Sequence, residues 1–225
     1  MLKNIFVLTT FVCLVVACSK NTNNIAPTDS IQSLLNDTTG PVVTIDSMPL
    51  TVGNSWTYTS GTDTYMIKVT ADTTINGARA AKVSTFKDGA ISTAYYTNKS
   101  DGYYLVAKEY ANPDSLAILA TPVRRLAFPN VLNDSWSTAD SLGYPPTLVN
   151  ATSQWLDYDK VTTPAGVFNC CKLLYYSLNY GASTYNYYST KGLVKQVTIA
   201  STSKGPGAGP YSFIAGTTTL IAVNF

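Results

Sequence analysis

The sequence predicts an all-β protein, a duplicated antiparallel β-meander forming a strongly curved sheet or open half-barrel. Three observations carry that prediction. Turn dipeptides with left-handed chemistry (Asn76-Gly77, Asp88-Gly89 and Asp101-Gly102) recur about every 12 residues, the spacing of hairpins in a meander. The runs between them are β-branched or aromatic, and helical spacing is confined to Ile31, Leu34 and Leu35, one turn at most. Finally, Pro49-Leu50-Thr51-Val52-Gly53-Asn54-Ser55-Trp56 returns 80 residues later as Pro129-Asn130-Val131-Leu132-Asn133-Asp134-Ser135-Trp136.

Taken in order, Tyr65, Ile67 and Val69 lie on one face of the first long strand, with Met66, Lys68 and Thr70 on the other. Asn76-Gly77 turns the chain, because a type I′ turn needs two residues that tolerate positive φ. Residues 80–86, 91–97 and 103–110 follow as strands, and Asn112-Pro113-Asp114 as a turn. Residues 116–128 are apolar but contain Pro122, which suits an edge strand or a crossover.

The second copy keeps the same order. Residues 147–158 are a strand and Pro164-Ala165-Gly166 stands for the Asn76-Gly77 turn. Cys171-Lys172-Leu173 stands for Ala81-Lys82-Val83, Tyr187-Tyr188 for Tyr95-Tyr96, and Gly192 for Gly102. The repeats are expected to span residues 49–128 and 129–225 of one β domain, 49–225. Asn169, one residue more than the first copy holds between its Gly and its Lys, is expected as a β-bulge, and Cys171 is expected to point inward like Ala81. Residues 204–210, with three glycines and two prolines, form a loop. A last strand is expected to carry Thr219, Ile221, Val223 and Phe225 on one face.

The N-terminus has a different character. Lys3 precedes an apolar run over residues 5–17, the length of a signal-peptide core and shorter than the roughly 20 residues of a membrane-spanning helix. Leu14-Val15-Val16-Ala17-Cys18 resembles the bacterial lipobox. That resemblance implies diacylglyceryl transfer to the Cys18 thiol, cleavage before Cys18, and acylation of the new N-terminus by palmitate-type chains. Each buried methylene adds about 0.8 kcal/mol, so several chains anchor a protein stably where one does not. Residues 1–17 are thus expected as a lipoprotein signal peptide. Residues 18–48, rich in Ser, Thr, Asn and Asp, are expected as a flexible tether. Ser19 is not the Asp of inner-membrane retention, and Lys20-Asn21-Thr22 lacks the acidic run of surface export. The expected place is the cell envelope, anchored to the outer membrane and facing the periplasm.

Pro164-Ala165-Gly166-Val167-Phe168, Cys171-Lys172-Leu173, Tyr187-Tyr188 and Lys191-Gly192-Leu193-Val194-Lys195 together resemble a pattern of bacterial, Bacteroidota-like envelope lipoproteins of unknown function. The Val52-Gly53-Asn54-Ser55-Trp56 stretch is similar to that group's Gly-Asp-x-Trp opening. Val167 stands where the pattern has Thr, and the cysteine is doubled. The resemblance implies a β-wrap like that of lipoprotein carriers, and no activity.

Composition narrows the chemistry. The chain has 225 residues, 12% charged, a net charge of +2 and no basic cluster, so nucleic acid is not expected as a partner. It has no histidine, which removes Ser-His-Asp and Cys-His catalysis and every histidine-bound metal. No catalytic residue, metal ligand or cofactor is expected. Asp157 and Asp159 share a strand face and could flank a sugar or hold calcium, against an ordinary reading as an exposed strand end. Cys170 and Cys171, on opposite faces of a strand, are expected as one buried and one half-buried small hydrophobe, against an intermolecular bridge or redox role. Of the 16 tyrosines, Tyr185 and Tyr187 share a face, and Tyr103-Tyr104 and Tyr175-Tyr176 are doublets. With Trp155 they are either packed aromatics or an exposed platform for sugar rings. The expected function is therefore non-enzymatic binding or structural work at the envelope. Its alternatives are a carrier of an acyl chain or lipoprotein in the hollow of the sheet, and a glycan-binding module using exposed Tyr and Trp.

Overall fold

A computed structural model of the chain describes residues 38–109, 116–142, 147–177, 182–202 and 212–225. The expected signal peptide, Cys18, the expected Asn112-Pro113-Asp114 turn and the expected loop at residues 204–210 lie outside them. The described residues form strands and connections with no helix.

One meander runs β2 (Ser55–Ser60), β3 (Asp63–Ile75), β4 (Ala78–Lys87), β5 (Ala90–Lys99), β6 (Gly102–Glu109) and β7 (Leu116–Ala127). A second runs β8 (Ser135–Leu142), β9 (Thr147–Thr163), β10 (Gly166–Ser177), β11 (Ala182–Ser189), β12 (Gly192–Thr202) and β13 (Ser212–Asn224). Strand β13 pairs with β2, so the two meanders make one continuous antiparallel sheet. A two-residue β1 (Thr38–Thr39) adds to β9. The free edges, β7 and β8, curl toward each other. The Trp155 indole on β9 donates to the Ala127 carbonyl on β7 at 3.3 Å, and the Arg124 guanidinium sits 5.8 Å from the Trp136 ring on β8. The sheet is thus a nearly closed barrel, and Pro122 is tolerated because β7 is an edge.

The two meanders are built alike where the backbone is irregular. Gly53 has φ +102° and donates to Val69 O, while Val69 N donates to Asn54 O, both at 2.9 Å. Asn133 has φ +68° and donates to Trp155 O at 2.8 Å, while Trp155 N donates to Asp134 O at 3.1 Å. One residue later each long strand carries a bulge, at Thr70 opposite Val83/Lys82 and at Leu156 opposite Leu173/Lys172. Each Tyr-Tyr pair faces a further bulge, Val106 opposite Tyr95/Tyr96 and Val194 opposite Tyr187/Tyr188. Bulges bend and twist a strand, so matched bulges give both meanders the same coil.

Several local expectations are corrected. Asn169 is no bulge and pairs with Lys160. Beyond its bulge the β9–β10 hairpin runs two residues further on each strand than β3–β4, and an even extension keeps every side chain on its face. Asn76-Gly77 and Asp88-Gly89 have the paired positive φ of type I′ turns, but the third turn is Ser100-Asp101, with Lys99 paired to Gly102. Gly102 is needed for closeness instead, since a Cβ there would strike the Leu126 carbonyl of β7. Strand β13 bulges at Ile221, so Thr218, Leu220 and Val223 face the core, and the expected single face of Thr219, Ile221, Val223 and Phe225 is broken.

The end of the expected tether is packed onto the barrel. Ile45 is fully buried among Leu126, Phe128, Trp155 and Leu173. Asn130 grips the segment, accepting from Ile45 N at 2.6 Å and donating to Val43 O at 2.8 Å. Asn98 does the same at Met48, accepting at 3.1 Å and donating at 2.8 Å. The side-chain amide is the group suited to this, because it offers a donor and an acceptor to one extended residue or two.

Candidate functional site: the barrel hollow

The inward face carries two apolar clusters. One centres on Trp155, Cys171 and Leu173, the other on Trp56, Tyr58, Val69 and Leu220. They do not fill the barrel. A cavity of about 440 Å³ remains, bounded by Trp56 and Tyr58 of β2, Ile67 of β3, Val83 of β4, Tyr96 of β5 and Leu193 of β12. That size falls within the roughly 300–1,000 Å³ of small-molecule sites.

The walls are held rigidly. Trp56 Nε1 donates to Lys191 O at 2.6 Å and Tyr58 Oη to Leu193 O at 2.9 Å, which ties β2 over the intervening β13 to the β11–β12 turn and the start of β12. Gly192 in that turn has φ +102°, and a Cβ there would lie 3.1 Å from the Trp56 Nε1. Tyr96 and Tyr103 stack at 4.8 Å with a 12° interplanar angle, and Tyr58 stacks on Tyr65 at 5.4 Å. Burial pushes the Tyr58, Tyr103 and Tyr188 phenols above the usual tyrosine range, so their hydroxyls are neutral at any physiological pH.

The charged groups on the lining are Lys108, Glu109 and Arg125. Glu109 belongs to the opposite face, where its carboxylate accepts from Tyr95 Oη and, at 3.0 Å, from Lys82 Nζ. Those bonds, the Tyr95 one first, hold its carboxyl below the usual range. Lys108 alternates with Glu109 and pairs with Ala94, a lining residue. Arg125 is placed by a bulge: Tyr104 pairs with Arg124 and Tyr103 with Leu126, leaving Arg125 as the extra residue. A bulge puts two successive side chains on one side of the sheet, so Arg125 faces inward beside the core residue Leu126. Arg125 and Tyr188 also line a second, more polar hollow of about 250 Å³ with Ser153, Thr184, Asn186 and Gln196.

Most of the residues singled out in the sequence fall elsewhere. Cys171 faces inward against Trp155 and Leu173, as expected, and burial pushes its thiol up to about 11. Cys170, expected half-buried, is fully buried as well, because the strongly coiled sheet brings Val161 of β9 against Tyr187, Val194 and Val197 over that face. Neither cysteine forms a disulfide. Asp157 is exposed, but Asp159 is not an exposed strand end: it is 4% exposed and lies 2.6 Å from Lys172 Nζ. Trp155, a candidate for an exposed platform, is wholly buried with its indole bonded to Ala127 O. Tyr187 is buried beside half-buried Tyr185, and Tyr103 belongs to the hollow. Among the described residues no three Cys, Asp or Glu side chains come together as metal ligands. Sequence reasoning passed over Lys108 and Arg125. The trace they left is Arg124-Arg125, a basic pair inside an otherwise apolar run.

No protein-family profile matches the chain, and no curated protein matches it. Among solved structures, it is similar to a protein described as a lipoprotein from Parabacteroides distasonis ATCC 8503, with 14% identity and a TM-score of 0.44, covering 82% of this chain and 100% of that one. It is also similar to a protein described as exported, with a YmcC-like fold, from Bacteroides fragilis NCTC 9343, with 11% identity and a TM-score of 0.43, covering 79% of this chain and 98% of that one. Likeness at this level assigns neither family nor activity.

Proposed function

We propose that this is a lipid-anchored, non-enzymatic protein of the bacterial cell envelope that holds an apolar or amphiphilic guest inside its barrel. The observation that carries the reading is the hollow of about 440 Å³, walled by Trp56, Tyr58, Ile67, Val83, Tyr96 and Leu193. An apolar space of that size in a sheet otherwise packed by two clusters favours a guest. The aromatic walls are fixed by bonds to backbone carbonyls, so the shape persists without one. Acyl-chain carriage fits this lining better than glycan binding, since Trp155 and Tyr187 are buried and offer no stacking surface.

Anchoring rests on Leu14-Val15-Val16-Ala17-Cys18, with Cys18 acylated, residues 1–17 removed, and the domain held at the outer membrane toward the periplasm. The domain from residue 49 is read as two copies of one six-stranded unit, a reading supported by the matched bulges and lead-in loops.

Native mass spectrometry of the protein purified from its own envelope tests the guest. A co-purifying mass beyond the covalent lipid, lost when Val83 and Leu193 are both replaced by Trp, is expected. A bare protein in every preparation, with no uptake of added fatty acid, overturns the reading. Incorporation of labelled palmitate that Cys18→Ala abolishes tests the anchor.

A further inference from the structure

We propose that the hollow selects an anionic amphiphile, a single apolar chain ending in a carboxylate or phosphate, with Arg125 as the group that recognises the head. The inference rests on the guest-holding reading above and adds the chemical class of the guest.

Three features carry it. The first is the sign of the lining. Lys108 and Arg125 are cations, and the acid that accompanies them, Glu109, has its carboxylate engaged by Tyr95 and Lys82 on the other face of β6. The second is that Arg125 is aimed. It is the extra residue of a bulge on β7, and without the bulge it would alternate to the outside between Arg124 and Leu126. A guanidinium turned inward at the boundary between an apolar and a polar hollow gives a planar, permanently charged donor set suited to carboxylate or phosphate oxygens. The third is the division of the space. Trp56, Tyr58, Ile67, Val83 and Leu193 make an aromatic and aliphatic wall, with Thr85, Ser92 and Thr93 at one side of it, whereas the side reached by Arg125 adds Tyr188, Ser153, Thr184, Asn186 and Gln196. A tail fits the first region and a head the second, with the Arg125 charge at the junction. Burial keeps the Tyr103 and Tyr188 hydroxyls protonated near that charge, so they donate to an oxyanion and do not oppose it.

The test uses the full chain carrying Cys18→Ala, so that no acyl group of its own competes, held in solution by a non-ionic amphipathic polymer. Four probes with the same tail are titrated by calorimetry and by Trp fluorescence: dodecanoate, dodecyl phosphate, dodecanol and dodecyltrimethylammonium. Dodecanoate and dodecyl phosphate are expected to bind at least tenfold tighter than dodecanol, and the cation most weakly. Arg125→Gln is expected to bring the two anions to within about threefold of the alcohol. Arg125→Lys, which keeps the charge, is expected to retain part of the preference. If dodecanol binds as tightly as dodecanoate, the proposal fails and the guest reading stands. If no probe binds, the guest reading fails with it. If inorganic phosphate alone competes as well as dodecyl phosphate, the site is for a free anion and the amphiphile is overturned. Should Arg125→Gln unfold the barrel, the head preference measured in Arg125→Met decides, and an unaltered preference there refutes the assignment.

Discussion

Replacing Lys172 by Met should destabilise the fold far more than the same change at Lys87, although the two ion pairs have the same length. Lys172 lies 2.6 Å from Asp159, and Lys87 lies 2.6 Å from Asp63. Distance therefore does not separate them; solvent does. The side chains of the first pair are 15% and 6% exposed, those of the second 47% and 50%. Two unit charges at an effective dielectric near 20 attract by about 4 kcal/mol at 4 Å, and water removes most of that attraction at the surface. Removing one partner of a buried pair costs about 3–5 kcal/mol, because the remaining charge stays desolvated. Lys172 is not wholly enclosed, so the lower end, about 3 kcal/mol, is expected for Lys172→Met. Its Nζ also sits 5.4 Å from the Tyr187 ring centroid, a contact worth about 0.5–1 kcal/mol that goes with it. Lys87→Met should leave the urea midpoint unchanged within error. The double variant Lys172→Met/Asp159→Leu should recover part of the loss, since it removes the carboxylate that the single change leaves buried without its lysine. Urea unfolding followed by Trp fluorescence measures all three. If Lys172→Met shifts the midpoint no more than Lys87→Met, burial is not what gives this pair its weight.

Gly102→Ala should detach β7 from β6 and cost about 3 kcal/mol, because the new Cβ meets the Leu126 carbonyl, a backbone atom that cannot step aside; Gly61→Ala, with open space around it, should cost distinctly less, and equal losses would refute the steric account. Cys170 and Cys171 should resist alkylation at pH 8 in the folded protein and react together on unfolding, since both are fully buried and the Cys171 thiol is pushed up to about 11; a native-state labelled residue at either position would contradict this. Tyr95→Phe should flatten the acid limb of the stability profile. The Glu109 carboxyl is held below its ordinary 4.5, first by Tyr95 and then by Lys82, so its contribution is present above pH 4.5 and is lost as pH falls through the lower folded value. Without the phenol that loss shrinks, and an unchanged slope below pH 4.5 in urea titrations would count against the bond.

The fold was legible because its signals are local. Asn76-Gly77 and Asp88-Gly89 fix their turns through backbone conformations that few residues adopt, and the return of Pro-x-x-x-x-x-Ser-Trp marked where a second meander begins. Inward direction was also legible for Cys171, because it follows from period-2 alternation once Ala81 and Leu173 are placed. Alternation failed wherever a bulge intervened. Ile221 broke the predicted face of β13, and Arg125 turned inward against the pattern of its neighbours. A bulge adds one residue with no change in composition, so the one-dimensional pattern carries no mark of it.

Burial on the second face was equally out of reach. Cys170 and Tyr187 are enclosed because a coiled sheet folds β9 over β11 and β12, a contact between strands that are not sheet neighbours. The packing of residues 38–48 escaped notice because their composition is that of a linker, and Asn98 and Asn130, which hold them, are ordinary polar residues in sequence. The sequence alone determined an all-β meander, the absence of histidine chemistry, and a lipobox-like motif ending at Cys18. Only the tertiary structure decided that the barrel keeps a hollow and that Arg125 and Lys108 face it, because cavity and charge placement depend on where twelve strands close, and closure is a property of coil, bulge and edge summed over the whole sheet.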